Sequence, residues 1–413
     1  IDSLMGELRY SSDAGLSSPG LVGRLWDKPL VAAISTESSA KGARKTARIN
    51  LKTTAELEPL AYWSRRPEVL FAQGQAEVAG DIRIPLAGRR SGDPAVGLTF
   101  QSQLQGVQIN LPPPYGKAAD EARSFNLSMD VYQGRTVYGF DYDDKLDAQL
   151  TSAKGQSVYG EVALMAKRSR KQKQDIWITG EQDWLSKQAL FDLIERYQSH
   201  VKSIAAAAPA GQSTSSSVQG SLLKFNAKVN KFQWDDMDFD EIAVGGGQLP
   251  SGWTFELQNS MFKGALSLPE NGSPIGVDLE YLKLSESGFT SSDDPDTTVS
   301  KKPSDAMSSL DPRSIEAADV SIGQLHLGEE DYGSWSFSLR PKGSGLAIEN
   351  IKGRIRGVEV SAASSETDRD GATIEWLADS EGHRTRFRGA LASTNVADVL
   401  KQWQQPQLLE SKQ

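Results

Sequence analysis

Period-two alternation recurs along most of this chain and limits its fold more than any other feature. "AVGLTF" makes Val96, Leu98 and Phe100 apolar, and "NLSMDVY" does the same with Leu127, Met129 and Val131. "KFNAKVN" contributes Phe225, Ala227 and Val229, and "WTFELQ" contributes Trp253, Phe255 and Leu257. "IGVDLEYL" carries Ile275, Val277, Leu279 and Tyr281, and "SWSFSLRP" carries Trp335, Phe337 and Leu339. Successive side chains of a strand point to opposite faces, so each segment has one apolar and one wet face. That is the pattern of antiparallel sheets. Pro85, Pro250, Pro269 and Pro341 punctuate the segments. The expected fold class is mainly β: a long, twisted antiparallel sheet with a few short helices.

Three helices are expected. "TTAELEPLAYWSRR" (53–66) follows a Thr cap. "DWLSKQALFDLIERYQSHVKSIAAAA" (183–208) brings Trp184, Leu185, Ala189, Leu190, Leu193 and Ile194 together at helical spacing. "TNVADVLKQW" (394–403) has Thr394 or Asn395 as cap and Val396, Val399, Leu400 and Trp403 as its apolar face. All three read as plugs or lids along the sheet, and the second is expected to pack its apolar face against it.

Other segments have no such periodicity. Residues 209–220 read as a polar linker and 290–312 as a mobile loop, because neither has much to bury. The basic run "KRSRKQKQD" (167–175) reads as a solvated hairpin tip. "SQLQGVQINLPPPYGKAADEA" (102–122) runs from a strand into Pro112, Pro113 and Pro114. Three prolines remove three backbone donors, so a hydrogen-bonded ladder has to stop there.

The sequence repeats itself at an offset of 93 residues. Val229, Phe232, Trp234, Asp238, Phe239, Ile242 and Val244 align with Ile322, Leu325, Leu327, Asp331, Tyr332, Trp335 and Phe337. The register continues without a gap from Phe255 onto Ile348 and from Gly264 onto Gly357. A repeat of this kind is a supersecondary unit that extends a body along one axis. The resulting division is a β segment over 1–182, the helix at 183–208, the linker at 209–220, a repeat-bearing β segment over 221–405 and a tail at 406–413.

Composition argues against several chemistries. The formal net charge of −9 does not suit a general nucleic-acid binder, and no Cys is present for thiolate catalysis, disulfides or cysteine metal sites. His200, His326 and His383 lack metal-ligand spacing. "WDDMDFDE" (234–241) lacks the ligand spacing and central Gly of a calcium loop and reads as an acidic turn. "VGGGQ" (244–248) lacks the Gly-Lys ending of a phosphate loop. Neither a metal, a cofactor nor an enzymatic activity is expected. No apolar run reaches the ~18–20 residues of a membrane span, and no secretory signal pattern occurs. The chain begins at Ile1, which reads as a processed or excised piece.

Several motifs carry a resemblance. In "LTFQSQLQGVQINLPPPYGKAADEARSFNLSM" (98–129), Ser102, Leu104, Gly106, Val107, Leu111, Pro112, Pro114, Lys117 and Ala118 match a signature of the YhdP group. That group belongs to the AsmA-like envelope proteins of Gram-negative bacteria. "GQAEVAGDIRIP" (74–85), "FDEIAVGGGQLPSGWTFELQN" (239–259) and "RFRGALASTNVADVLKQW" (386–403) resemble further segments of it. The chain departs from the pattern in the helix at 183–208 and the insertion at 290–312.

The resemblance implies a central or C-terminal piece of a periplasmic body. Elsewhere in such a protein a helix anchors it in the inner membrane. The sheet is expected to curl into an apolar groove that carries phospholipids between inner and outer membranes and supports the outer-membrane barrier. Its partners would be acyl chains, the two membranes and envelope proteins. The residues on the apolar register, expected to line the groove, are Val96, Leu98, Phe100, Leu127, Met129, Phe225 and Val229. In the second half they are Trp253, Phe255, Leu257, Val277, Leu279, Phe337, Leu339 and Ile348. Alternation by itself equally allows a sealed sandwich or solenoid acting as a scaffold or interaction module.

Overall fold

The computed structural model describes residues 2–38, 44–169, 174–207, 222–234, 237–284, 311–361, 371–379 and 382–402. The expected linker at 209–220, the tail at 406–413 and nearly all of the expected loop at 290–312 lie outside these residues. The chain is mainly β, in open, mixed sheets with three α-helices among the described residues. It divides into two units, Ile1–Asp240 and Glu241–Gln413. The boundary falls within strand Met237–Leu249. Strand Leu223–Trp234 belongs with the first unit, pairing along its length with Ile176–Ser186.

The first unit opens as an antiparallel succession. Its strands are Asp2–Gly6, Gly15–Leu25, Lys28–Ser38, Lys45–Glu56, Ala72–Ala87, Val96–Ser102, Phe125–Tyr132, Arg135–Tyr142, Leu146–Ala153 and Tyr159–Leu164. The direction then changes. Ile176–Ser186 pairs parallel with Tyr159–Leu164, and Leu223–Trp234 pairs parallel with Ile176–Ser186. The sheet is therefore mixed rather than antiparallel throughout.

A parallel pair requires the chain to travel back across the sheet. The described residues of the basic run, 167–169 and 174–175, lie in the first return, which is a crossover and not a hairpin tip. It lies against the face that carries Asp147, Glu161 and Thr179. Arg168 pairs with Asp147 at 2.5 Å. The Ser169 amide and hydroxyl both donate to Glu161 at 3.0 Å, and the Thr179 hydroxyl donates to the same carboxylate at 2.8 Å. Lys167 reaches Asp144 at 2.7 Å and Asp141 at 3.5 Å. Basic side chains thus tie the crossover to the polar face.

The second return contains helix α2 (Lys187–Ala206). Ser186 caps it, its hydroxyl accepting from the Ala189 amide at 3.0 Å. Trp184 and Leu185 belong to the preceding strand, because ladder pairing with Lys231 and Phe232 holds the backbone extended there. Helix α1 (Leu57–Ser64) is shorter than expected for the same reason. Thr53 and Thr54 pair with Val78 and Glu77, and the helix starts after Glu56 without a side-chain cap. Arg65, at φ 55°, closes it.

In the second unit Met237–Leu249, Gly252–Gln258, Phe262–Pro269 and Ile275–Leu284 run antiparallel. Ala318–Leu327 joins Ile275–Leu284 in parallel. Ser334–Lys342, Gly345–Ile355, Ala372–Asp379 and Gly382–Arg388 then continue antiparallel. The 93-residue offset reappears in the ladder. Leu249 pairs with Gly252 and Lys342 with Gly345, while Gly246 pairs with Phe255 and Leu339 with Ile348. Ile351, Val360 and Ala372 form a buried cluster beneath Trp335, Phe337 and Ile348. Gly353 makes room there, because a Cβ on it would meet the Trp335 ring at 2.6 Å. Helix α3 (Val396–Gln402) closes the described chain, and the Asn395 side-chain oxygen accepts from the Ala397 amide at 3.1 Å.

Candidate functional site

Residues paired across a ladder share a face, so the register shows which apolar side chains meet. In the first unit one continuous row is Ile34, Ile49, Ile82, Leu98, Met129, Tyr138, Leu150, Gly160, Ile176 and Leu223. Beside it runs Ala32, Leu51, Gly80, Phe100, Leu127, Phe140, Ala148, Val162, Ile178 and Phe225. Each row crosses ten strands, a contour of about 43 Å at ~4.8 Å per strand. Gly80 leaves room within its row, since a Cβ there would meet Leu51 at 2.8 Å and Phe100 at 3.1 Å.

Val96 lies beside these rows opposite Val131, whose next partner is Thr136, so the apolar stripe ends there in polar side chains. Val229 is opposite Gln182 rather than another apolar residue.

In the second unit Phe255, Leu266, Val277, Val320 and Phe337 form one row. Leu257, Gly264, Leu279, Ile322 and Trp335 form the next. Leu339 and Ile348 continue to Ile374 and Phe387. Trp253 stacks on Phe255 with ring centroids 5.8 Å apart and planes within 7°. All fifteen residues singled out from the sequence are half-buried, neither sealed nor fully exposed.

One end of the first unit's apolar face is covered. The segment with the three prolines ends its ladder, as expected, and folds over the face. Strand Val96–Ser102 ends where the Ser102 hydroxyl accepts from the Leu104 amide and donates to the Glu77 carbonyl. Leu104 then takes φ 48°, and the short strand Val107–Ile109 pairs with Ala72–Gly74. Val107, Leu104, Ala76 and Tyr142 form a buried cluster with Leu57, Ile109, Tyr115, Phe125 and Leu146 around it.

Polar groups lock this plug. The Lys117 side chain is buried and donates to the carbonyls of Leu104 at 3.0 Å, Ala118 at 2.8 Å and Val107. Its burial holds its pKa below the ordinary lysine value. The Tyr142 hydroxyl donates to the Tyr115 carbonyl at 2.9 Å, and Arg123 donates to the Pro114 carbonyl at 2.7 Å. Gln182 donates to the Pro113 carbonyl at 3.0 Å. Burial, with the Asp183 charge adding to it, pushes the Tyr115 hydroxyl up to about 12.

Helix α2 packs behind the plug rather than serving as it. Arg196 donates to the Asn110 carbonyl at 2.9 Å and lies 5.7 Å from the Phe71 ring centroid. His200 meets Phe71 edge-on at 4.7 Å, and Ile204 is buried. Leu190, Phe191, Ile194, Tyr197 and Val201 remain exposed, so the helix does not bury the apolar face expected of it. Between the plug and α2 lies an open cleft of about 660 Å3. Asn110, Leu111, Pro112, Pro113, Lys117 and Glu121 line it on one side, and Ala189, Asp192 and Arg196 on the other.

The acidic turn near 234–241 is described only in part. There Asp238 pairs with Lys231 at 2.9 Å. The sequence identified the apolar register, and Lys117 entered as a signature residue. The covering role of the plug and the part played by Gln182 in it had no signal in the sequence, because both depend on contacts between distant segments.

Comparison with known proteins gives a match among family models. Neither the curated proteins nor the solved structures contain one. Among the described residues no helix is long and apolar enough to cross a membrane. The match is the family model described as YhdP protein, over residues 1–413. The chain belongs to this YhdP family, an AsmA-like family of the cell envelope, and has its role there.

Proposed function

We propose that this chain carries phospholipid acyl chains along its apolar face as part of a periplasmic path between the inner and outer membranes. Two continuous apolar rows across ten strands, most of whose members are half-buried, support this most directly. A sealed core would bury such residues, whereas a transport surface has to leave them available for ligand. Each acyl CH₂ taken from water contributes ~0.8 kcal/mol, and apolar residues in matching register on successive strands let a chain advance without a deep energy minimum. Headgroups would stay in water at the polar margin of the rows. No covalent step is required, so in this reading the protein is not an enzyme.

The curl of the sheet into a groove, the periplasmic location and an inner-membrane anchor in a larger protein belong to the same proposal, as do contacts with both membranes and with envelope proteins. The test is to purify the chain from cells, extract it with organic solvent and identify lipids by mass spectrometry. Phospholipid should accompany the wild-type protein in stoichiometric amount. Lipid-free protein that also fails to capture lipid from vesicles would favour a scaffold instead.

A further inference from the structure

We propose that the cleft between the plug and α2 binds a zwitterionic phospholipid headgroup of the phosphoethanolamine class. This rests on the acyl-chain reading above and adds a headgroup site to it. The cleft's ~660 Å3 lies in the range of small-molecule sites.

Its charges decide the class of ligand. Four charged side chains line it: Lys117, Glu121, Asp192 and Arg196. The Lys117 ammonium has three donors, and three backbone carbonyls take them. Arg196 engages the carbonyls of Asn110 and Asp192, which leaves other donors of its guanidinium without a partner among the described residues. A guanidinium suits a phosphate, which it can bind through two parallel N–H groups.

Asp192 and Glu121 are exposed, so their carboxylates can receive an ammonium. Asp192 is held by the Gln188 amide and Glu121 by Arg123, so both are in place before a ligand arrives. A headgroup carrying only negative charge would meet the Asp192 carboxylate, held only by a neutral amide, beside the one open guanidinium, while Glu121 already has Arg123 on it. A phosphate linked to an ammonium satisfies both signs.

The position of the cleft fits a lipid. Ile109, Leu111 and Pro112 give it an apolar wall, and Ile109 also packs on the buried cluster at the covered end of the rows. Pro113 lines the cleft while its carbonyl accepts from Gln182 on the apolar face. A headgroup in the cleft therefore sits beside the place where acyl chains would meet the face.

The experiment offers the purified 413-residue chain vesicles of equal phosphatidylethanolamine and phosphatidylglycerol and reads bound lipid by native mass spectrometry. Wild type should be enriched in phosphatidylethanolamine by up to about fivefold, the upper end of what one exposed charge pair contributes. Arg196→Gln should lower capture of both lipids. Asp192→Lys, at an exposed position, should reverse the preference toward phosphatidylglycerol, as should Glu121→Lys.

Bound lipid in the vesicle ratio, or a preference that neither lysine variant alters, would overturn the headgroup site while leaving the acyl-chain reading in place. Absence of any lipid from every protein would overturn both. Melting temperatures of the variants identify any loss caused by unfolding.

Discussion

The Gln182 side-chain amide donates both to the Pro113 carbonyl at 3.0 Å and to the Trp184 carbonyl at 2.7 Å. It joins two segments 69 residues apart in sequence. Gln182 lies in the first parallel crossover strand, on the apolar face, and is buried. Through it the change from antiparallel to parallel pairing is tied to the plug that covers the end of that face.

Replacing Gln182 by Leu should loosen the plug. Two carbonyls would lose a donor in a partly buried setting, at a cost of about 1–3 kcal/mol. Hydrogen exchange should rise across 107–118 more than in the ladders of the second unit. Unchanged protection of 107–118 would show that other contacts hold the plug.

Lys117→Met should be more damaging. It keeps the volume of the side chain but leaves the carbonyls of Leu104, Val107 and Ala118 without their shared donor. A loss of about 2–4 kcal/mol is expected, read as a lower denaturant midpoint. A midpoint equal to wild type would mean that water replaces the ammonium at no cost.

The contact of α2 with Phe71 should weaken in acid. Burial first, and then the Arg196 charge, lower the His200 pKa below its ordinary 6.5, with partial compensation from the Pro67 carbonyl. A histidine whose pKa is depressed on folding contributes stability that is present above the unfolded pKa and lost as pH falls through the folded one. The difference in melting temperature between wild type and His200→Gln should therefore be constant above pH 7 and should change below pH 6.5. A difference independent of pH from 8 to 5 would exclude this titration.

A charge on the rows should stop lipid carriage without unfolding the sheet. Phe255→Asp and Leu279→Asp each place a carboxylate on a half-buried apolar position. Water can reach such a group, so the expected cost is about 1–3 kcal/mol, well below the stability of an ordinary domain. The variants should remain β-rich by circular dichroism, lose photocrosslinking to lipid and, in the full-length protein, fail to maintain the outer-membrane barrier. Folded variants that crosslink at the wild-type level would remove the rows from the transport path.

Ile351→Ala should act on the second unit through packing. Ile351 is buried against Val360 and Ala372, and truncating a core Ile to Ala costs about 2–5 kcal/mol. Limited proteolysis should reach strands 345–355 and 372–379 first. Equal protease resistance in the variant would show that this cluster does not hold those strands.

The side of each strand on which apolar residues fall is legible in the sequence alone. That follows from the backbone, whose alternation is fixed residue by residue and needs no partner. It is why Leu98, Met129, Phe255 and Val277 all join apolar rows. Asn395 could be read as a cap because capping is local too, and the 93-residue offset could be read because both copies kept their own register.

The rest depends on contacts between segments distant in the chain. Trp184 and Leu185 have helical spacing with Leu190 and Ile194, yet they extend a strand because Lys231 and Phe232 lie alongside. The basic run returns across the sheet because Asp147 and Glu161 hold it there. The three prolines end a ladder by chemistry that any sequence displays. They cover an apolar face only because Tyr142 and Gln182, distant in the chain, present donors to Tyr115 and Pro113. Local periodicity fixes which face is apolar. Whether that face is paired, crossed or covered depends on long-range hydrogen bonds, whose partners no window of sequence contains.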